Sequence, residues 1–198
     1  MNEKRNNERA NKGAYRPKLT FFHANGKGTG CAVTMEVHPA HDSVDGSIFV
    51  SAANQMTVGD RNGPNPTYPR FDWENKITIR LCFPDLCRIL QVLRGECESL
   101  EDGKGLIHRR SDCMTRIVFR HLVEPVQGYS FEIYRSYRDK REDRQARIFF
   151  SMAEAMGLVE SIAGSMAVIS FGIPKVIERS NQNAIEESRE ESDAFSAA

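Results

Sequence analysis

The sequence predicts an α+β fold in which two antiparallel four-stranded sheets are each followed by one helix (ββββα-ββββα). Eight short segments alternate apolar and polar residues with a period of two, which is typical of half-buried strands. Two segments, one after the fourth strand and one after the eighth, instead repeat apolar residues every three to four positions, as helices do. Turn-forming residues separate most of these segments.

The first four strands occupy the first half of the chain. The second is the clearest, because Cys31, Val33, Met35 and Val37 alternate with small or polar residues. A turn rich in glycine and asparagine ends the first strand, and a loop with three prolines separates the third strand from the fourth. The predicted ranges are Leu19–Ala24, Cys31–His38, Ser47–Met56 and Lys76–Leu81.

The first helix follows directly. Pro84 suits a first helical turn, because its fixed φ fits the helix and its missing N–H has no partner there. Gly95 is suited to end the helix in a left-handed conformation. Between them lies one apolar stripe, formed by Leu86, Ile89, Leu90 and Leu93.

The second half repeats the order of elements. A capping box, Ser151 with Glu154, predicts the start of a long final helix that ends near Phe171-Gly172. The halves share no residue-level similarity, so the repeat is architectural. The four strands are predicted at Leu106–Arg109, Thr115–His121, Tyr129–Tyr137 and Arg147–Phe150.

Charge divides the chain into three parts, although the net charge is zero. The first 18 residues hold six basic and two acidic side chains, and residues 175–198 hold three basic and six acidic ones. We expect a disordered basic arm at 1–17, one folded domain at 18–174 and a disordered acidic tail at 175–198. A neutral body argues against coating duplex phosphates by bulk charge.

The cysteines and the N-terminal residues indicate the compartment. Five cysteines are an odd number without repeated CxxC spacing, which favours free thiols in a reducing environment over a disulfide framework. Residues 1–18 contain no apolar segment of a signal peptide. The uncharged stretch 161–173 is too short to span a membrane. We therefore expect a cytoplasmic protein without a membrane partner.

Three segments resemble the Whirly family of single-stranded-DNA-binding proteins. The stretch 26–34 resembles the family's Lys-Gly-Lys-Ala-Ala-Leu-Ser motif, although Thr29 or Gly30 stands where its second lysine is expected. Phe71-Asp72-Trp73, with the strand and helix that follow, resembles a second family segment, and Gly128–Ile133 with the final helix resembles a third. The resemblance implies this order of elements, single-stranded DNA as partner and a tetramer with helices at its centre. PUR-type and guide-RNA-binding proteins are similar in layout.

Cations and aromatic residues on the predicted strands are the candidate binding residues. A single strand is held without base readout by cations along its phosphates and aromatic faces beneath its bases. The alternative interpretation is that the arginines are the solvated face of a sheet and that the aromatic residues pack in the core. The candidates are Lys27 in the glycine-rich turn, Trp73, and, on the strands or directly after them, Lys76, Arg80, Arg116, Arg120, Tyr134, Arg135 and Tyr137.

The final helix predicts self-association. Between Met152 and Phe171 only Glu154 and Glu160 are charged, so we expect the helix to be buried on all sides. A single sheet covers only one side, which leaves the rest for other copies of the chain. The predicted homo-oligomer, with a tetramer favoured, uses Met156, Ile162, Ala163, Met166 and Ile169.

Catalysis and metal binding have little support. His38, His41 and Asp42 form the best metal candidate, but no cysteine pair completes four ligands. Cys113 lacks an orienting partner for a nearby histidine. We therefore predict a non-enzymatic protein without cofactor or metal that binds single-stranded DNA in DNA maintenance or transcription. An RNA-binding protein or RNA chaperone is the first alternative, and a small metal- or thiol-dependent enzyme is the second.

Overall fold

A computed structural model describes residues 18–60, 62 and 64–173. The predicted arm (1–17) and acidic tail (175–198) lie outside the described residues. The elements in chain order are β1 (Leu19–His23), β2 (Cys31–His38), β3 (Ser47–Thr57), β4 (Arg70–Phe71), β5 (Ile77–Leu81), α1 (Phe83–Leu93), a 3-10 turn (Leu100–Gly103), β6 (Leu106–Arg109), β7 (Cys113–Leu122), β8 (Gly128–Tyr137), β9 (Arg144–Ser151) and α2 (Met152–Phe171).

The predicted fold class is confirmed, with one additional strand. The first sheet has the order β1-β2-β3-β4, and β5 also pairs with β3. The second sheet is the meander β6-β7-β8-β9, and all the pairs in both sheets are antiparallel. The extra strand, β4, has only two residues, and two residues cannot display an alternation.

A carboxylate caps the start of α1 and ties it to the second sheet. Asp85 Oδ2 accepts hydrogen bonds from the Cys82 backbone N–H at 3.0 Å and from the Cys82 thiol at 3.1 Å. The same oxygen lies 3.2 Å from His108 Nε2 on β6. Gly95 follows the helix with φ of 75°, as the sequence predicts.

The core lies between the inner faces of the sheets and the two helices. Its aromatic part is a cluster of rings from three strands, in which Phe119 contacts Phe131 and Phe131 contacts Phe150. Phe21 of β1 adds an edge-on contact with Phe150, with ring centroids 4.9 Å apart. These contacts join both sheets into one hydrophobic core with α1 and α2.

Only one stripe of α2 is buried within the subunit, which agrees with the expectation that the subunit covers one side of this helix. The stripe consists of Ala155, Leu158, Ile162 and Ile169. Two of the five residues predicted at the oligomer interface, Ile162 and Ile169, belong to this stripe and are only 4% and 2% exposed, so their assignment to the interface is wrong. Both side chains pack in the subunit's own core.

Length and composition alone would allow α2 to span a membrane. The prediction of no membrane span considered only the uncharged residues 161–173, whereas the whole helix has 20 residues. Its packing favours a different role, because its buried stripe belongs to the core and its first turn is bound to β1. Glu154 Oε1 lies 2.7 Å from His23 Nε2 of that strand. The helix is therefore an integral part of the folded domain.

Candidate nucleic-acid interface

Strand register assembles the candidate interface on the outward face of the second sheet. Arg116, Tyr134 and Gln145 are paired in one row across β7, β8 and β9. In the next row Glu132 lies beside Arg147. Because the pleat alternates sides, these side chains point away from the core that Ile117 and Ile133 enter. The outward face thus places an arginine of β7 and an arginine of β9 near one tyrosine.

Glu132 is the centre of this face, although it is only 5% exposed. Its Oε1 accepts hydrogen bonds from Arg120 at 2.8 Å and from the Ser130 hydroxyl at 2.9 Å, and its Oε2 accepts one from the Tyr134 hydroxyl. Arg147 Nε lies 3.6 Å from Oε1. Burial by itself raises the pKa of Glu132, but the bonds from Tyr134, Ser130 and Arg120 hold that pKa below its ordinary value. The carboxylate therefore stays ionised and fixes its partners.

Tyr134 is held on two sides. The guanidinium carbon of Arg116 lies 5.0 Å from the centroid of the Tyr134 ring, a cation–π contact. The hydrogen bond to Glu132 and the burial of the phenol raise the pKa of Tyr134, so the hydroxyl remains a donor. A half-exposed ring with a fixed orientation can stack on a base at a low cost in side-chain entropy.

Two further predicted residues, Arg135 and Tyr137, make contacts within the protein. The Arg135 guanidinium donates to Thr115 Oγ1 at 3.0 Å and to the backbone carbonyl of Thr78 at 2.7 Å, which ties the second sheet to β5. Tyr137 lies under Arg141, whose guanidinium carbon is 4.1 Å from the ring centroid. Arg135 thus serves the junction between the sheets, and Tyr137 forms a second, more peripheral cation–π pair.

The backbone amides of the glycine-rich turn are engaged within the protein and are not directed at a ligand. The N–H groups of Lys27 and Thr29 donate to Asn25 Oδ1 at 3.0 and 3.1 Å, and that of Gly28 donates to the Asn25 carbonyl at 3.3 Å. The N–H of Gly30 donates to a side chain of β3, at 3.1 Å from its amide oxygen. The exposed ammonium of Lys27 remains the turn's contribution to binding.

Trp73, Lys76 and Arg80 lie on the first sheet or beside it. Trp73 and Lys76 line an outer groove of about 500 Å³ together with Phe49 of β3. Arg80 donates to the Asp45 carbonyl at 2.7 Å. The groove also holds Glu36, which lies 3.1 Å from Lys18 and from His38. Arg80 is therefore held by the loop before β3, and Lys76 is a cation of the groove beside Trp73.

The predicted metal candidates do not converge. His41 Nδ1 lies 3.6 Å from Asp42, and both side chains are largely exposed. Among residues 18–60, 62 and 64–173 no group of three or more histidine, cysteine, aspartate or glutamate side chains is arranged to hold a metal ion. All five cysteines have free thiols, and burial raises the pKa of the Cys31 thiol to about 11.

Sequence reasoning missed three residues of the interface, Glu132, Gln145 and Arg147. Their outward positions follow from the alternation of β8 and β9. Their proximity to Tyr134 depends on the register of two hairpins.

Comparisons with known proteins establish the fold. No protein-family model and no curated protein sequence matches the chain. Among solved structures, the Whirly protein WHY3 from Arabidopsis thaliana matches with a TM-score of 0.63 at 14% identity, over 87% of this chain and 98% of that one. The plant transcriptional regulator PBF-2 matches with 0.58 at 16% identity, over 87% and 88%. A guide-RNA-binding protein complex bound to its guide RNA matches with 0.50 at 13% identity, over 79% and 94%. The expected Whirly-like fold is thereby confirmed.

Proposed function

We propose that the chain binds single-stranded nucleic acid, with DNA as the first candidate, and tolerates many sequences. The observation that carries the proposal is the fixed platform on the second sheet, where Glu132 orients Tyr134 and Arg120 while Arg116 and Arg147 flank them. An aromatic face among arginines is the combination that binding to a single strand needs.

The similarity in fold supports the same class of ligand. One structural neighbour is a plant transcriptional regulator and another was solved bound to guide RNA. The transcriptional regulator fits the role in transcription or DNA maintenance that the sequence predicts. The complex with guide RNA supports RNA as the alternative ligand. The platform has no helix or ribbon placed to enter a groove, so we expect duplex DNA to bind weakly.

Titration of the full chain with labelled single-stranded DNA, single-stranded RNA and duplex DNA of equal length tests the proposal. We expect the single strands to bind at least tenfold more tightly than the duplex, and the affinity to fall as salt is raised. Tighter binding of RNA than of DNA would select the RNA alternative. Equal affinities for duplex and single strand would contradict the proposal.

We also propose that the chain acts as a homo-oligomer, with a tetramer favoured by the Whirly resemblance. The face of α2 opposite its buried stripe exposes Met156 (69%) and ends at Phe171 (89%). Gly157 and Gly164 have open space where a Cβ would be, so another helix could approach the backbone closely. Ala163 and Met166 lie half-buried at the edges of this face. A second copy of the chain, presenting the same face, is the expected occupant.

A further inference from the structure

A cleft of about 420 Å³ separates the glycine-rich turn from the outward face of the second sheet. Gly28 and Gly30 of the turn form one side, and Tyr134 and Gln145 of the second sheet line the other. Asn54 of β3 also lines the cleft, and Arg147 is the cation that lines it. Its volume falls within the range of about 300–1,000 Å³ that is usual for small-molecule sites.

The two sides of the cleft are rigid for separate reasons. Tyr134 is fixed by its hydrogen bond to Glu132, and Arg116, its neighbour on β7, lies over its ring. The cleft lies toward the opposite neighbour, Gln145 on β9. On the turn, a Cβ at Gly30 would lie 2.1 Å from the carbonyl oxygen of His23, so this close approach requires glycine. The fold therefore fixes the width of the cleft.

The polar groups in the cleft are amides rather than charges of one sign. Asn54 Nδ2 donates to the backbone carbonyl of Gln145 at 2.8 Å, which aligns β3 with β9. The side-chain amide of Gln145 makes no hydrogen bond to another described residue. Because both Glu132 oxygens are already engaged, the side-chain amide of Gln145 and the side-chain Oδ1 of Asn54 are the groups suited to bind a ligand.

We propose that this cleft is a site for one unstacked nucleobase, with the base against the Tyr134 ring and its polar edge on the Gln145 amide. The inference rests on the proposed function. It adds that each subunit binds a base in a defined cleft, in addition to phosphates on the open sheet. Arg147 at the cleft and Lys27 in the adjoining turn are the cations placed for the flanking phosphates.

The amide explains why such a site tolerates many sequences. A side-chain amide carries a donor and an acceptor side by side, and rotation about its last bond exchanges them. Each nucleobase has an edge on which a donor neighbours an acceptor. Gln145 can therefore pair with any base in one of its two orientations, whereas a carboxylate at this position would only accept.

The first test compares oligothymidylate of about 16 nucleotides with an abasic strand of the same length and charge. We expect the full-length protein to bind oligothymidylate at least tenfold more tightly. Tyr134→Ala should remove most of this difference, and Tyr134→Phe should retain it because the ring remains. The matched control is Tyr68→Ala, which removes an exposed tyrosine outside the cleft and should leave both affinities unchanged.

The second test changes the hydrogen-bonding character of the cleft with Gln145→Glu. The added negative charge should weaken binding of all strands. The loss should be greater for thymine, because its one donor, N3–H, lies between two carbonyl oxygens that repel a carboxylate, whereas the amino group of cytosine has a carbonyl-free neighbour on one side. We expect the ratio of affinities for oligocytidylate over oligothymidylate to rise at least threefold. A merely structural role of Gln145 would leave that ratio unchanged and would overturn the inference.

The two proposals fail in different ways. If the protein binds oligothymidylate and the abasic strand equally well, the base site is wrong, while binding through phosphates stands. If it binds neither strand, the proposed function is wrong and the base site falls with it.

Discussion

His23 Nε2 lies 2.7 Å from Glu154 Oε1, and this contact joins an edge strand to a helix 131 positions further along the chain. The other carboxylate oxygen, Oε2, accepts from the backbone N–H and the hydroxyl of Ser151, each at 2.8 Å. One carboxylate thus caps α2 and anchors β1 beside the ring of Phe150. The end of the first sheet and the start of the final helix are therefore coupled.

Glu154→Ala is expected to lower the free energy of unfolding by about 1–2 kcal/mol, because it removes a helix cap and an anchor between two elements. Urea unfolding followed by circular dichroism measures the change. Glu160→Ala is the matched control, since Glu160 is exposed on the same helix and should change stability by less than about 0.5 kcal/mol. Equal losses for the two variants would contradict the capping role.

Acid is expected to destabilise the protein through Glu154 and Asp85. Burial raises the pKa of each carboxyl, but hydrogen bonds from Ser151 and His23 to Glu154, and from His108 and Cys82 to Asp85, leave both pKa values below their ordinary range. The unfolded chain therefore binds more protons at low pH. The stabilisation is complete above the unfolded-state pKa of about 4 and is lost as the pH falls through the lower folded-state values.

Urea midpoints at a series of pH values from 7 to 3 measure this loss. The urea midpoint should decrease when the pH is lowered below about 4.5. This decrease should be smaller in the Asp85→Asn, Glu154→Gln double variant, because that variant already lacks both carboxylates and is less stable at pH 7. Asp42→Asn serves as the control, because the Asp42 side chain is 96% exposed and its left-handed backbone suits asparagine. An unchanged pH profile in the double variant would exclude these two carboxyls as the cause.

The order of the elements could be predicted because each strand has one buried and one outward face. In β2, for example, Val33 is fully buried while Thr34 is half-exposed. The strands β7 and β9 begin earlier than predicted, at Cys113 and Arg144. Their first residues continue the alternation with only one small buried side chain each, Cys113 in β7 and Ala146 in β9, which is a weak signal in the sequence. The sequence did not indicate which side of α2 the subunit buries, because alanine and glycine are spread around the helix and blur its apolar stripe.

The candidate site could be predicted only in part. Alternation placed Arg116, Arg120 and Tyr134 on the strand faces away from the core. It also placed Glu132 outward, where an acidic residue is expected to be solvated. Its burial arises from the side chains that cover it, and these come from three strands. Such a cluster depends on cross-strand register, which periodicity within one strand does not determine.

Arg116→Ala is expected to weaken binding of single-stranded DNA and to reduce the salt dependence of the affinity. One phosphate contact contributes a slope of about 0.7 in log K against log salt for single strands. Fluorescence anisotropy at several salt concentrations gives the slope. Arg94→Ala, at the exposed end of α1, carries the same charge change away from the platform and should retain the slope of the unmodified protein. Identical slopes in both variants would place the bound strand elsewhere.

The thiols are expected to differ in reactivity. Cys97 is exposed, whereas Cys31 is 2% exposed and burial raises its pKa to about 11. A disulfide reagent at pH 8 should label Cys97 within minutes and Cys31 only when the domain unfolds. Mass spectrometry of digested protein identifies the labelled positions. Fast labelling of Cys31 in the native protein would show that β2 opens from the core.

Met156→Glu is expected to dissociate the proposed homo-oligomer. Met156 lies on the exposed face of α2, so the substitution leaves the subunit's core unchanged but repeats a negative charge at each symmetry-related position of an interface between copies. Burying those carboxylates together costs more than the contact gains. Light scattering coupled to size-exclusion chromatography at micromolar concentration should show a tetramer for the unmodified chain and a smaller species for the variant. Ala163→Glu should act in the same direction.

Val123→Glu is the control for this experiment, because Val123 is equally exposed but lies on the hairpin between β7 and β8. It should leave the mass unchanged. An oligomer that withstands Met156→Glu and Ala163→Glu would have to form through another surface. A monomeric unmodified chain would mean that the exposed side of α2 faces water. Its glycine, alanine and serine residues expose less apolar area than large side chains would, so the free-energy cost of that exposure is smaller.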